Sequence, residues 1–98
     1  MSAFELCDIL SRPSVWIYEG RNNGWWYYDL PMQDLLEESW NAKELTVDTP
    51  ELIIDMKAMS QTTLSGAVRA IRRISSVYDI SGLLIKGIAG RIISRQNV

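Results

Sequence analysis

Histidine is absent from the 98 residues, and Cys7 is the only cysteine. With one cysteine no disulfide forms within the chain, and a zinc site of the usual Cys/His kind has no ligand set. The same shortage excludes a zinc finger, a RING domain, and Ser-His-Asp or Cys-His catalysis. A lone Cys7 fits a reducing compartment. No apolar run approaches the roughly 18 residues that a membrane span needs. Glu5 and Asp8 stand where a signal peptide would be basic and then apolar. The chain shows no internal repeat and no low-complexity segment. It also shows no nucleophile–base pair and no metal-ligand cluster, so an enzyme is the least expected class and no cofactor is implied.

What is present is ordinary globular composition, 47% apolar and 22% charged, in a length that suits one small domain. The net charge of −2 conceals a split. Residues 1–55 carry 11 acids against three bases, Arg12, Arg21 and Lys43, and sum to −8. Residues 56–98 carry seven bases against one acid, Asp79, and sum to +6. A basic half suggests an anionic partner for that half alone.

Along the chain, residues 2–10 read as a short helix, with Ser2 and Glu5 at capping-box spacing and Pro13 ending it. It is read as an N-terminal arm of residues 1–14 lying on the domain, with a docking helix as the alternative. Val15–Glu19 and Trp25–Asp29 read as two arms of a β-hairpin around Gly20-Arg21-Asn22-Asn23-Gly24, which holds residues able to take positive φ. Seven of the nine aromatics fall within residues 16–40. Strand alternation puts Trp16 and Tyr18 on one face and Ile17 on the other; Trp25 and Tyr27 oppose Trp26 and Tyr28. That is too much aromatic surface for one core, so some of it lines a cleft, covers a helix or stays exposed.

Residues 31–41 read as a helix with Pro31 in its first turn and an apolar stripe of Met32, Leu35, Leu36 and Trp40. Asp34, Glu37 and Glu38 are expected to be solvated. Short strands follow at 44–47, 52–56, 59–63 and 68–74, and a helix over 66–76 stays open as an alternative for the last. Ser81 to Ser94 is apolar with Lys86, Arg91 and Arg95 set into it, and Gly82, Gly87 and Gly90 argue against a long helix there. The fold expected is α+β, one helix packed on a curved antiparallel sheet.

The segment Trp16-Ile17-Tyr18-Glu19-Gly20-Arg21-Asn22-Asn23-Gly24-Trp25-Trp26-Tyr27-Tyr28-Asp29 resembles the opening of a WWE domain, named for two tryptophans and a glutamate. The resemblance is nearest to the WWE domain of a RING-type ubiquitin ligase that recognises poly(ADP-ribose), which reads W-Y-Y-E-G-R-N-G-W-W-Q-Y-D there. Weaker blocks follow in order: Leu36-Glu37-Glu38-Ser39-Trp40, Asp55-Met56-Lys57-Ala58-Met59-Ser60-Gln61, Arg69-Ala70-Ile71-Arg72-Arg73 and Lys86-Gly87-Ile88-Ala89-Gly90. The likeness spans about residues 15–90 and implies a half-barrel of antiparallel strands wrapped around one helix. Residues 15–98 would then be a WWE-like domain with a C-terminal extension. Lacking zinc ligands, the chain carries no RING and is expected to act as a free-standing reader.

The resemblance implies a non-enzymatic protein that binds poly(ADP-ribose), or ADP-ribosylated proteins, through the internal iso-ADP-ribose unit. It carries the family's pocket onto Tyr18, Arg21, Trp26, Gln61, Arg69 and Lys86. Tyr18 and Trp26 would supply aromatic wall, Gln61 a donor and an acceptor for an adenine edge, Arg69 a two-pronged phosphate grip, and Arg21 and Lys86 cations for the other phosphate. Leu52 stands where the family has a second pocket tyrosine, with Tyr27 or Tyr78 as candidates to compensate. Five extra residues separate the Arg69 block from Lys86. Partners in the ubiquitin pathway fit the family, and an intracellular setting, cytoplasmic or nuclear, is expected. The alternatives are a WWE-like interaction adaptor with weakened or lost ligand binding, and a general RNA or single-stranded DNA binder. The acidic first half argues against the last.

Overall fold

The computed structural model describes residues 3–21, 23–75 and 82–92, with backbone only for Ala3 and Ile92. Tyr78 and Arg95 lie outside the described residues. The elements are helix α1 (Ala3–Leu10), strands β1 (Val15–Glu19) and β2 (Trp25–Tyr27), helix α2 (Leu30–Asn41), and strands β3 (Thr46–Asp48), β4 (Leu52–Asp55), β5 (Ser60–Thr63), β6 (Val68–Ile74), β7 (Ile85–Ile88) and β8 (Arg91–Ile92). The strands form one sheet in the order β3-β4-β5-β6-β1-β2-β7-β8. Every neighbouring pair is antiparallel except β2 and β7. The class is therefore α+β, as expected, with one parallel pair where the tail returns beside the hairpin.

The surplus of aromatics is resolved by a core on each face of the sheet. One cluster, under α2, joins Trp16, Tyr28, Leu36, Val47, Ile54, Met56 and Ile71, all buried, with Tyr18 packed against it. The other joins Ile9 of α1 to Val15, Ile17, Tyr27, Ile74 and Ile88. Period-two alternation along β1 sends Trp16 and Tyr18 to the first cluster and Val15 and Ile17 to the second. Ile9 is wholly buried, and Arg91 Nη2 reaches Glu5 Oε1 at 3.0 Å, so α1 is packed on the sheet and tied to β8.

The hairpin's second arm ends at Tyr27, two residues before the span expected from sequence. Asp29 leaves the strand to cap α2, its carboxylate accepting from Met32 N at 3.1 Å. The buried line of α2 is Gln33, Leu36 and Ser39 rather than the expected apolar stripe; Leu35 and Trp40 are 36% and 40% exposed. The reason is a clamp between helix and strand. Gln33 Oε1 accepts from Trp16 N at 2.7 Å, and its Nε2 donates to Trp16 O at 2.8 Å and to Tyr28 O at 3.0 Å. Such a clamp turns a polar residue inward and rolls part of the apolar stripe out.

Glu37 is likewise not a solvated charge. Its carboxylate accepts from Arg73 Nε and Nη2 at 2.9 and 2.7 Å and from Trp16 Nε1 at 2.9 Å. The Arg73 bonds hold the carboxyl below its ordinary value near 4.5, against the opposing effect of burial, and the Trp16 bond helps. The folded protein thus binds this proton more weakly than the unfolded chain does. The stabilisation is complete above about pH 4.5 and is lost as the pH falls through the depressed folded value. Urea midpoints measured from pH 6 downward should fall through the carboxylate range, and Glu37→Gln should flatten that dependence.

Of the two readings left open for residues 68–74, the strand is the one formed, and the reason is tertiary. β6 is paired on both sides, with β5 and with β1. Ile71 enters the cluster under α2 and Ile74 the opposite one. Among the described residues no helix is long and apolar enough to cross a membrane.

Candidate functional site

The tip of the β1–β2 hairpin and the β5–β6 hairpin lie side by side and leave an open cleft of about 270 Å³ between them. From the first hairpin it is lined by Tyr18, Glu19, Gly20 and Arg21, and from the second by Gln61, Thr63, Ser65, Ala67 and Arg69. Register explains the gathering. Gln61 sits opposite Arg69 across β5 and β6, and Tyr18 sits opposite Ile71, two residues on along β6. Cross-strand partners share a face, so one amide, one guanidinium and one phenol project toward the same opening.

Each local piece has a local cause. Gly20 N donates to Gly24 O at 2.8 Å and closes the first loop, and Asn23 supplies the positive φ of 60° expected of it. The second loop is tight: Thr63 N donates to Ala67 O at 2.9 Å, and Gly66 takes φ 91°. Tyr18 lies at a tilt against Tyr28, with ring centroids 4.7 Å apart. Burial, then the charge of Asp29, raises the Tyr18 phenol above its ordinary value, and the Gly90 backbone opposes the shift. At neutral pH Tyr18 is therefore a neutral hydroxyl.

Gln61 is buried, and its Oε1 accepts a 2.5 Å bond from the Tyr28 hydroxyl. Burial pushes the Tyr28 phenol strongly upward, with the neighbouring Tyr18 adding to the effect, so Tyr28 keeps its proton and stays the donor. The acceptor expected of Gln61 is thus occupied from within. Its Nε2 makes no hydrogen bond to the described residues, so this group is what Gln61 offers. Arg69 is half-buried, and its Nη1 donates to the neighbouring Val68 carbonyl at 3.2 Å. None of the ion pairs among the described residues uses Arg21 or Arg69. With Glu19 as the facing acid, the lining carries two positive charges against one negative.

Four of the six residues singled out from sequence, Tyr18, Arg21, Gln61 and Arg69, line the cleft. Trp26 and Lys86 do not line it; they buttress its hairpin. A methyl group on Gly20 would lie 2.3 Å from Trp26 Nε1 and 2.6 Å from Cδ1, so the indole is seated directly on Gly20. Gly20→Ala should therefore push the indole aside and cost about 1–3 kcal/mol, read as a lower urea midpoint. Lys86 Nζ donates to the Arg21 carbonyl at 3.1 Å, and its stem crosses Gly24. It fastens the loop that presents Arg21. Tyr27 is buried in the cluster on the opposite face, so it does not make good the ring missing at Leu52. Leu52 pairs with Thr63 and borders a separate groove beside Asp48 and Glu51.

Sequence reading missed Glu19, Thr63 and Ser65 as lining residues. Thr63 was open to inference, because in β5 it lies two residues from Gln61 and shares its face. Ser65 enters only through the turn, where its hydroxyl lies 2.9 Å from that of Thr63.

No curated protein matches the chain at a significant level. A family model does match: that of the WWE domain aligns with residues 14–73. The matched span holds both hairpins of the cleft, α2, and the residues Tyr18, Arg21, Trp26, Gln61 and Arg69, while Lys86 lies beyond it. The fold that wraps a sheet around α2, the cleft its hairpins form and this match over more than half of the length agree, and the chain belongs to the WWE domain family, whose members are generally protein-interaction modules that often bind poly(ADP-ribose).

Proposed function

We propose that this chain is a non-enzymatic reader of poly(ADP-ribose) that takes the polymer's iso-ADP-ribose unit in the cleft between its two hairpins. The observation that carries the proposal is the convergence of Tyr18, Arg21, Gln61 and Arg69 on one opening. An aromatic wall, an amide donor and two guanidiniums that join no ion pair among the described residues are what a base, its sugars and its phosphates require. Arg69, whose guanidinium suits bidentate phosphate recognition, is assigned one phosphate. Arg21, held in place by Lys86, is assigned the other. Gln61 Nε2 donates to the adenine edge, and Trp26 sets the hairpin's shape. In this reading residues 1–14 are an arm on the domain of residues 15–98, the protein acts inside the cell in the cytoplasm or nucleus, and its partners are ADP-ribosylated proteins, with ubiquitin-ligase components as a further class.

Leu52 favours a second reading, an interaction adaptor with weakened ligand binding, since it puts an aliphatic side chain where a stacking ring would stand. Calorimetric titration of the folded chain with iso-ADP-ribose, ADP-ribose and AMP separates the two. Saturable binding with iso-ADP-ribose the tightest supports the reader. Absence of binding to all three leaves the adaptor.

A further inference from the structure

A second depression, away from the cleft, lies where α2 ends and the chain turns into β3. It holds about 380 Å³ and is lined by Trp40, Lys43, Glu44, Leu45, Met56 and Lys57. Part of the apolar lining is open to solvent: Trp40 is 40% exposed and Leu45 is 68% exposed. Trp40 is nevertheless fixed in place, meeting Trp16 edge-on with ring centroids 5.7 Å apart and lying under the Arg73 guanidinium at 5.3 Å. A rigid aromatic wall beside a methionine and a leucine is the kind of surface that receives a large apolar side chain.

Two features indicate what else the occupant carries. Lys43 and Lys57 stand on the rim against one acid, Glu44, which leaves the rim net positive, and neither lysine belongs to any ion pair among the described residues. Lys43 also holds φ at 58° in the position after the α2 C-cap, where glycine is the unstrained choice. The backbone favours a polypeptide. β3 is an edge strand. Met56 N donates to Leu45 O, and Thr49 N donates to Leu52 O; alternation along an antiparallel ladder then turns the backbone groups of Thr46 and Asp48 away from β4, toward the open edge.

We infer that the groove of Trp40, Leu45 and Met56 is a docking site for a short acidic peptide segment of a partner protein, which seats one large apolar side chain in the groove and sets carboxylates against Lys43 and Lys57. The inference does not rest on the reading of the cleft. It adds a protein contact at the far end of α2, leaving the hairpin cleft free.

The probe is a fluorescein-labelled peptide with a single phenylalanine flanked on both sides by aspartates, titrated into the full chain by anisotropy. Saturable binding is expected that weakens with added salt, weakens with asparagine in place of aspartate, and is unchanged by saturating iso-ADP-ribose. Lys57→Ala should weaken it by roughly tenfold, and Leu45→Ser, at an exposed position, should weaken it without lowering the melting temperature. Lys43→Gly is the sharpest variant. It should raise the melting temperature by relieving the positive φ, yet weaken the peptide. Equal binding of the asparagine peptide, displacement by iso-ADP-ribose or by poly(U), unchanged affinity in Lys43→Gly and Lys57→Ala, or no binding at all would each overturn the inference.

Discussion

Gln33→Leu is expected to destabilise the fold by about 2–6 kcal/mol, the sum for two buried backbone groups left without partners. Gln33 is wholly buried, and leucine is close enough in size to fill its space. The loss is therefore one of hydrogen bonds. Trp16 N loses its acceptor and Tyr28 O loses its donor, whereas Trp16 O still receives Tyr28 N at 3.2 Å. For a domain of this size the penalty corresponds to a fall of roughly 10 °C or more in melting temperature. Urea unfolding followed by tryptophan fluorescence measures it directly. A change below about 1 kcal/mol would mean that packing alone holds α2 to β1. The consequence reaches the cleft, because the clamp grips β1 two residues before Tyr18. A loosened clamp should also weaken ligand binding at temperatures where the variant is still folded.

Arg69→Ala carries the second large effect, a loss of roughly 10- to 100-fold in iso-ADP-ribose affinity, equivalent to one charge-assisted phosphate contact. Among the described residues the side chain makes no ion pair and hydrogen-bonds only to the adjacent Val68 carbonyl. Its removal should therefore leave the urea midpoint nearly unchanged. Arg69→Lys refines the test, since lysine keeps the charge but not the planar fork, and it should recover only part of the loss. Calorimetry on the three forms at fixed salt checks this, and rising salt should narrow the gap between them. Full affinity in Arg69→Ala would move the phosphate contact elsewhere in the cleft.

How much of this was legible in the linear chain depends on whether the cause was local. The first arm of the hairpin and both helices follow from alternation, capping and turn chemistry within a few residues, whereas β6 is a strand because β5 and β1 pair with it on either side. The cleft was legible in part. Tyr18, Arg21, Gln61 and Arg69 carry their chemistry in their identities, and the WWE resemblance supplied their grouping. That Lys86 holds the Arg21 carbonyl, or that Tyr28 occupies Gln61 Oε1, involves residues 65 and 33 positions apart. No local period reports such a contact.

The same division runs through the charges. The sequence alone determined the inventory: no histidine, one cysteine, acids concentrated in the first 55 residues and bases in the rest. That inventory argued against a Cys/His zinc site and against His-dependent catalysis before any fold was considered. Tertiary structure decided which charges are spent within the molecule. Arg73 is bound to Glu37, Arg91 to Glu5 and Arg12 to Asp34, whereas Arg21 and Arg69 face a cleft and Lys43 and Lys57 rim a groove. An ion pair forms where strand register and helix rotation bring opposite charges within a few ångströms, and both are set by the burial of Trp16, Leu36 and Ile54 around them rather than by the charged residues' place in the chain.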